Sequence, residues 1–334
     1  MQLLCGDIGG TKTLLQRVTV EENGFRVLAE QRYPSADYQS FDTILAVFLA
    51  DLPDRHTIAA ACFGVAGPVT KHGTGQRAAI TNLPWKMDSE QLATRFDLSR
   101  VSLINDFEAI AHGIAALTDN DFINLQTGDP VVHGNRMVIG AGTGLGVALM
   151  VWNDEDYLII PTEGGHADFA PGSTEQLALA DYLMSKQGRC SVEFVVSGPG
   201  LVNIFTYLAE ANGQSGSDQY QKIMQAGDPA AAMASAADKG ESDLARQAME
   251  LFVMAYGSQA GNFALTCLPM GGVYVAGGIA AKIIARLQGG GFITAFNAKG
   301  KMGSLMQRIP VQVITNPAVG LIGSRVYALK LSRL

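Results

Sequence analysis

Short apolar runs bounded by turn residues recur along the chain at 3–7, 58–65, 101–105, 273–276 and 311–314, and each reads as a buried strand. Residues 3–7 and 13–20 flank Gly9-Gly10-Thr11, a glycine-rich turn that predicts a hairpin. Residues 137–151 repeat that arrangement of strand, glycine turn and strand. Phe41, Ile44, Leu45, Phe48 and Leu49 follow helical spacing and predict a helix over 41–52. Asp88 with Gln91, and Ser173 with Gln176, form capping-box patterns that open two more helices, the second running to Lys186. Further helices are expected from Phe107, over 201–211 after the break at Ser197-Gly198-Pro199-Gly200, over 242–268, and from about Leu321. Residues 212–219 read as a polar loop rather than a linker between domains. No period of 20–50 residues recurs, but one glycine-turn hairpin in each half is a sign of internal duplication.

Composition narrows the class. A chain of 334 residues suggests two domains, and 48% apolar residues are ample for a core. Acidic residues outnumber basic ones, 31 to 24, and the pI is near 5.2. That balance argues against a duplex nucleic-acid binder or a polybasic membrane-surface protein. No formal charge occurs over 251–281, longer than the ~20 residues that span a bilayer. Ser258, Gln259, Asn262 and the turn Pro269-Met270-Gly271-Gly272 interrupt the run, so it reads as a buried helix, a turn and a buried strand. Cys5, Cys62, Cys190 and Cys267 have no metal-ligand spacing, and the first residues lack a basic region before their first acid. A soluble, intracellular, reduced protein is the expectation.

The 38 glycines exceed the usual ~7% share, and many fall in three turns. In Gly6-Asp7-Ile8-Gly9-Gly10-Thr11-Lys12, paired glycines let backbone N–H groups approach an anion, with Thr11 and Lys12 adding a donor and a charge. Asp7 at the strand end suits a Mg²⁺ held largely through water. An ordinary tight turn is the competing reading. Gly140-Ala141-Gly142-Thr143-Gly144-Leu145-Gly146 has Leu145 where the dinucleotide fingerprint needs its third glycine, and no Walker A occurs; it still fits a phosphate cradle. Gly277-Gly278 after the strand at 273–276 allows a flat nucleobase or ribose to approach, or is simply a strand-to-helix turn. Asp106 stands at a strand's carboxyl end, where it is either a general base or a helix N-cap. Glu163-Gly164-Gly165-His166-Ala167-Asp168 offers carboxylates and an imidazole to vicinal hydroxyls, or is a solvated loop; neighbouring cysteines and an H-E-x-x-H helix for zinc are lacking.

These motifs, in this order, resemble the sugar-kinase/actin/Hsp70 superfamily, and within it the bacterial glucokinases of proteobacterial type. The stretches that carry the likeness are Asp7 to Thr11, Ile104-Asn105-Asp106-Phe107, Gly140 to Gly146, Glu163-Gly164-Gly165-His166, Ser197-Gly198-Pro199-Gly200-Leu201 and Ala276-Gly277-Gly278. The resemblance implies an α/β fold with the two-domain, actin-like ATPase (ribonuclease H-like) architecture. Its cleft would lie between a small α/β domain, 1–110 plus about 315–334, and a larger α+β domain, 111–314. It implies ATP-dependent phosphorylation of D-glucose at the 6-hydroxyl, with ATP and Mg²⁺, in a cytoplasmic homodimer. Asp106 would be the base, with Asn105, Glu163, His166 and Glu193 holding the sugar. Asp7, Gly9, Gly10, Thr11, Lys12, Gly142, Thr143, Gly144, Gly277 and Gly278 would serve ATP, with Asp7 on the metal, and cleft closure would keep out water.

Lysine at position 12 departs from the asparagine of many such glucokinases and occurs in the related ROK kinases. Those carry a cysteine-rich zinc motif after the histidine loop, where this chain has Ala167-Asp168-Phe169-Ala170. Other readings are a kinase for fructose, mannose or N-acetylglucosamine, a non-catalytic sugar sensor, and an Hsp70-like ATPase. The retained Asp106 argues against the sensor, and the Glu163/His166 loop against the ATPase.

Overall fold

The computed structural model describes residues 1–22, 24–52 and 55–334. They form two compact units: Met1–Asp119 with Asn316–Leu334, and Asn120–Thr315.

In the first unit β1 (Gln2–Ile8), β2 (Lys12–Glu21) and β3 (Gly24–Pro34) make an antiparallel meander. After α1 (Phe41–Phe48), β4 (Ile58–Val65) pairs parallel with β1. A separate three-stranded sheet follows, from β5 (Val69–His72), β6 (Gly75–Ala79) and β7 (Lys86–Asp88). Asp88 then caps α2 (Ser89–Phe96) by accepting the Glu90 and Gln91 N–H groups at 3.0 and 3.2 Å. Strand β8 (Val101–Asn105) lies parallel beside β4 and runs directly into α3 (Asp106–Ile114). The sheet order is β3-β2-β1-β4-β8, so β1, β4 and β8 point their carboxyl ends the same way. Its core holds Leu4, Ile8, Leu15, Phe41 and Phe63, each worth about 1.5–3 kcal/mol when fully buried.

The second unit opens with β9 (Phe122–Gln126) and repeats the meander as β10 (Arg136–Ala141), β11 (Leu145–Asn153) and β12 (Asp156–Thr162). Helices α4 (Thr174–Gln187), α5 (Gly198–Ala211), α6 (Asp218–Met224), α7 (Pro229–Asp238) and α8 (Asp243–Cys267) follow. Then come β13 (Gly272–Ala276), α9 (Gly277–Lys282), α10 (Ile284–Gln288), α11 (Gly291–Asn297), α12 (Gly303–Met306) and β14 (Val311–Ile314). The order is β12-β11-β10-β13-β14-β9, with β10, β13 and β14 parallel. Apart from the added edge strand β9, this is the first unit's topology again, and the duplication suggested by the two hairpins extends to five strands in each unit. Ser242 caps α8 through the Ala245 N–H, and Leu268 ends it in a left-handed conformation. Its uncharged half is buried through Phe252, Tyr256, Ala260 and Ala264, and among the described residues no helix is long and apolar enough to cross a membrane.

The chain then returns to the first unit as α13 (Val319–Ser332). Helices α3 and α13 cross backbone to backbone: a Cβ on Gly113 would strike the Val319 carbonyl, and one on Gly323 the Ala109 carbonyl. That packing keeps α3 with the first unit, which therefore runs to Asp119, whereas the boundary expected at 110 falls inside α3. Helix α1 stops at Phe48 rather than 52, because Leu49 leaves helical dihedrals and 49–52 continue as turns. Strands β3 and β12 had no counterpart in the apolar pattern; both are sheet edges whose residues are mostly exposed or half-buried.

Candidate functional site

The first glycine turn joins β1 to β2. The Gly9 N–H donates to the Lys12 carbonyl at 2.9 Å and closes the turn, which leaves the Gly10 and Thr11 amides without an acceptor among the described residues. Buried Ser35 braces the turn from the end of β3: its Oγ donates to the Gly9 carbonyl at 2.7 Å and its N–H to the Thr11 carbonyl at 3.1 Å. The Thr11 and Lys12 side chains are exposed.

Asp7 and Asp106 occupy the carboxyl ends of β1 and β8. Burial raises the Asp7 pKa and the nearby Lys12 ammonium opposes the rise. Asp106 is pushed up to about 7, first by burial and next by repulsion from Asp7, against hydrogen bonds from Phe107 and Asn105. Which residue caps α3 is settled by geometry. Asn105 is the N-cap: its Oδ1 accepts the Phe107 N–H at 2.9 Å, and Glu108 completes the capping box by accepting the Asn105 N–H at 3.4 Å. Asp106 also accepts the Phe107 N–H, at 3.0 Å, but it lies inside the helix as its first residue. Asn105 spends one amide hydrogen on the Gly67 carbonyl at 3.2 Å. Two neighbouring carboxylates suit a Mg²⁺ that keeps most of its ligands as water and phosphate. A closed protein cage for a metal is not formed, since no group of three or more His, Cys, Asp or Glu among the described residues could hold one.

In the second unit the turn between β10 and β11 is drawn tight by the Gly142 N–H, which donates to the Gly144 carbonyl at 2.8 Å. Thr143 is exposed at its tip. The end of β10 is fixed from beneath by buried Tyr256 of α8, whose hydroxyl accepts the Ala141 N–H at 3.2 Å. Gly277 follows β13 with φ +89, and a Cβ there would crowd the Ala141 carbonyl, so the backbone itself requires glycine. Gly142 and Gly278 differ: neither has positive φ, and a Cβ on either would meet nothing within 4 Å. The protein's own packing does not demand glycine at these two positions, whereas a ligand approaching the backbone closely would.

The Glu163–His166 loop pairs with the segment ahead of α5. The Glu193 N–H donates to the Gly165 carbonyl and the Val192 N–H to the Ala167 carbonyl, both at 2.9 Å. Glu163 and His166 are exposed with their side chains 3.9 Å apart. Asp168, the second acid of the cluster, is engaged by Arg189, which also donates to the His166 carbonyl at 2.8 Å. Farther along, the half-buried Lys299 ammonium donates to Asn262 Oδ1 at 2.7 Å, Asn262 donates to Gln259 Oε1 at 3.1 Å, and Gln259 donates to the Ala170 carbonyl at 2.7 Å. The hydrogen bonds all run one way, so a single charge orients both amides and anchors the segment after His166. Burial lowers the Lys299 pKa.

The structure thus gathers the expected residues into two sets. Asp7, Gly9, Gly10, Thr11, Lys12, Asn105 and Asp106 belong to the first unit, and Gly142, Thr143, Gly144, Glu163, His166, Glu193, Gly277 and Gly278 to the second. Ser35, Arg189 and Lys299 were not foreseen, because none lies in a glycine turn or an apolar pattern.

The glucokinase family model matches residues 4–331. A glucokinase of Nostoc punctiforme is 41% identical over 98% of this chain and 99% of its own length. One from Tolumonas auensis is 35% identical over 98% and 96%. The crystal structure of a glucokinase from an Antarctic psychrotroph superposes with a TM-score of 0.83 at 29% identity, covering 98% of this chain and 99% of that one.

Proposed function

The chain belongs to the glucokinase family, and on that premise we propose that it transfers the γ-phosphoryl group of ATP to the 6-hydroxyl of D-glucose with Asp106 as general base. What supports the assignment is the place of the Asp106 carboxylate, buried where β8 runs into α3 and near Asp7, surroundings that push its pKa up to about 7. A base poised near neutrality accepts a hydroxyl proton readily while a good share of it is still ionised at neutral pH. Glu163, His166, Glu193 and the remaining amide hydrogen of Asn105 hold the other sugar hydroxyls. The Thr11 and Thr143 hydroxyls, with the amides of their glycine turns, meet the phosphates, and Gly277-Gly278 admits the adenosine. Lys12 adds a positive charge beside them.

Asp7 would hold a Mg²⁺, which would supply positive charge to offset that of the phosphates. Phosphoryl transfer asks chiefly for positioning, so the sugar hydroxyl must be fixed in line with the phosphate by the residues above. A cytoplasmic homodimer working in glycolysis is part of the same reading; the four free cysteines are consistent with a reducing compartment. ADP release from ATP, measured over glucose, fructose, mannose and N-acetylglucosamine with and without Mg²⁺, tests the proposal. Glucose should give the highest kcat/KM, and only with the metal. A faster hexose would reassign the substrate, and sugar-independent ATP turnover would reject the kinase reading.

A further inference from the structure

We propose that Glu193 is a positioning residue for the nucleotide as well as a sugar ligand, tying the glucose loop to the second phosphate turn. The inference rests on the reading of Gly142 to Gly144 as a phosphate contact. Glu193 Oε2 accepts the Leu145 N–H at 2.8 Å, at the point where the turn enters β11. The Glu193 N–H donates to the Gly165 carbonyl at 2.9 Å, in the middle of the Glu163–His166 loop. Its carbonyl accepts the Ser197 hydroxyl at 2.7 Å; Ser197 caps α5, and the Gly198 N–H donates to the Gly142 carbonyl at 2.8 Å. One residue therefore touches the turn through its side chain, the sugar loop through its amide, and the start of α5 through its carbonyl.

Two glycines let these segments meet. A Cβ on Gly144 would collide with the Glu193 carboxylate, and a Cβ on Gly165 with the Leu145 carbonyl. Glycine at 144 is thus needed for the carboxylate's approach, beyond any contact with phosphate. A carboxylate with two oxygens can keep one on the Leu145 N–H and turn the other to a hydroxyl. A sugar drawn to Glu193 then bears on the geometry of the phosphate turn, and the two substrates share one anchor.

The test is nucleotide affinity without sugar, measured by calorimetric titration with a non-hydrolysable ATP analogue and Mg²⁺. Glu193→Ala should weaken binding about tenfold, the scale of a lost hydrogen bond to a charged group. Glu193→Asp, which keeps the charge but not the reach, should fold readily and weaken binding similarly. Glu193→Gln keeps an acceptor for the Leu145 N–H and should stay within about threefold of the starting protein. Thr143→Val separates the two ideas. If it weakens binding while Glu193→Ala and Glu193→Asp do not, the coupling is wrong and the phosphate reading stands. If none of the three weakens binding, the phosphate reading fails and takes the coupling with it.

Discussion

The β1–β2 turn and the β10–β11 turn occupy the same place in two copies of one topology, yet they are braced differently. The first is held by an uncharged hydroxyl, Ser35, and lies beside Asp7 and Asp106. The second is held by a carboxylate, Glu193, and by Tyr256 beneath it, with the Glu163–His166 loop attached. Both keep the glycine turn; the proposed general base, Asp106, stands only at the first. One topology thus places two glycine turns at matching strand ends, and on the proposed function the neighbouring groups give chemistry to one and recognition to the other.

The largest effect should come from removing the chemistry. Asp106→Ala is expected to lower kcat about 10²–10⁴-fold while glucose affinity by titration changes little, the usual range for a lost general base. Thr143→Val at the other turn should chiefly raise the KM for ATP; equal losses of kcat from both variants would erase the distinction. In the parent protein kcat/KM should climb with pH through about 7, as Asp106 loses its proton.

The same carboxylate should have a thermodynamic signature. Its folded pKa lies above the unfolded value of 3.8, so the folded state binds the extra proton between the two, and stability falls as pH rises through about 7. Asp106→Asn removes that loss, and at pH 8.5 should be more stable than the parent by on the order of 3 kcal/mol, with little difference near pH 4. Denaturant melts at the two pH values check it; equal gaps at both would mean that Asp106 is not destabilised as a carboxylate.

Ser35→Ala should cost about 1–2 kcal/mol, because it strips a hydroxyl donor from the half-buried Gly9 carbonyl, and should raise the KM for ATP without shifting the pH profile. A change in stability alone would leave the first turn without the bracing assigned to it. The smallest effect is expected at Lys299→Met, a few-fold rise in the glucose KM as the relay to Ala170 loses its charge. Lys299→Arg should recover part of it, and an unchanged glucose KM in Lys299→Met would show that the loop needs no such anchor.

What could be read from residues alone follows physical lines. Strands β4, β8 and β14 are short, mostly apolar runs between turn residues, and α8 opens on a serine cap, so their bounds were legible to within a residue. The edge strands β3 and β12 were not, because solvent on one side removes the apolar signal. Asn105 and Asp106 are adjacent and both are good caps, and only backbone geometry tells which one caps and which begins the helix. The glycine turns announced themselves locally. Their braces did not: Ser35 reaches Gly9, Glu193 reaches Leu145 and Lys299 reaches Asn262 across long stretches of sequence that no local pattern connects.

The crossing of α3 and α13 has a consequence for how the chain is made. Helix α13 supports the helix that starts at Asp106, but the ribosome delivers it only after the whole of the second unit. While residues 120–315 emerge, the first sheet must wait with the face of α3 around Gly113 uncovered, and only the segment made after them covers it. The second unit can fold on emerging, whereas the unit that begins first is completed last. A growing chain therefore gains the support beneath Asp106 only after the second unit has been made.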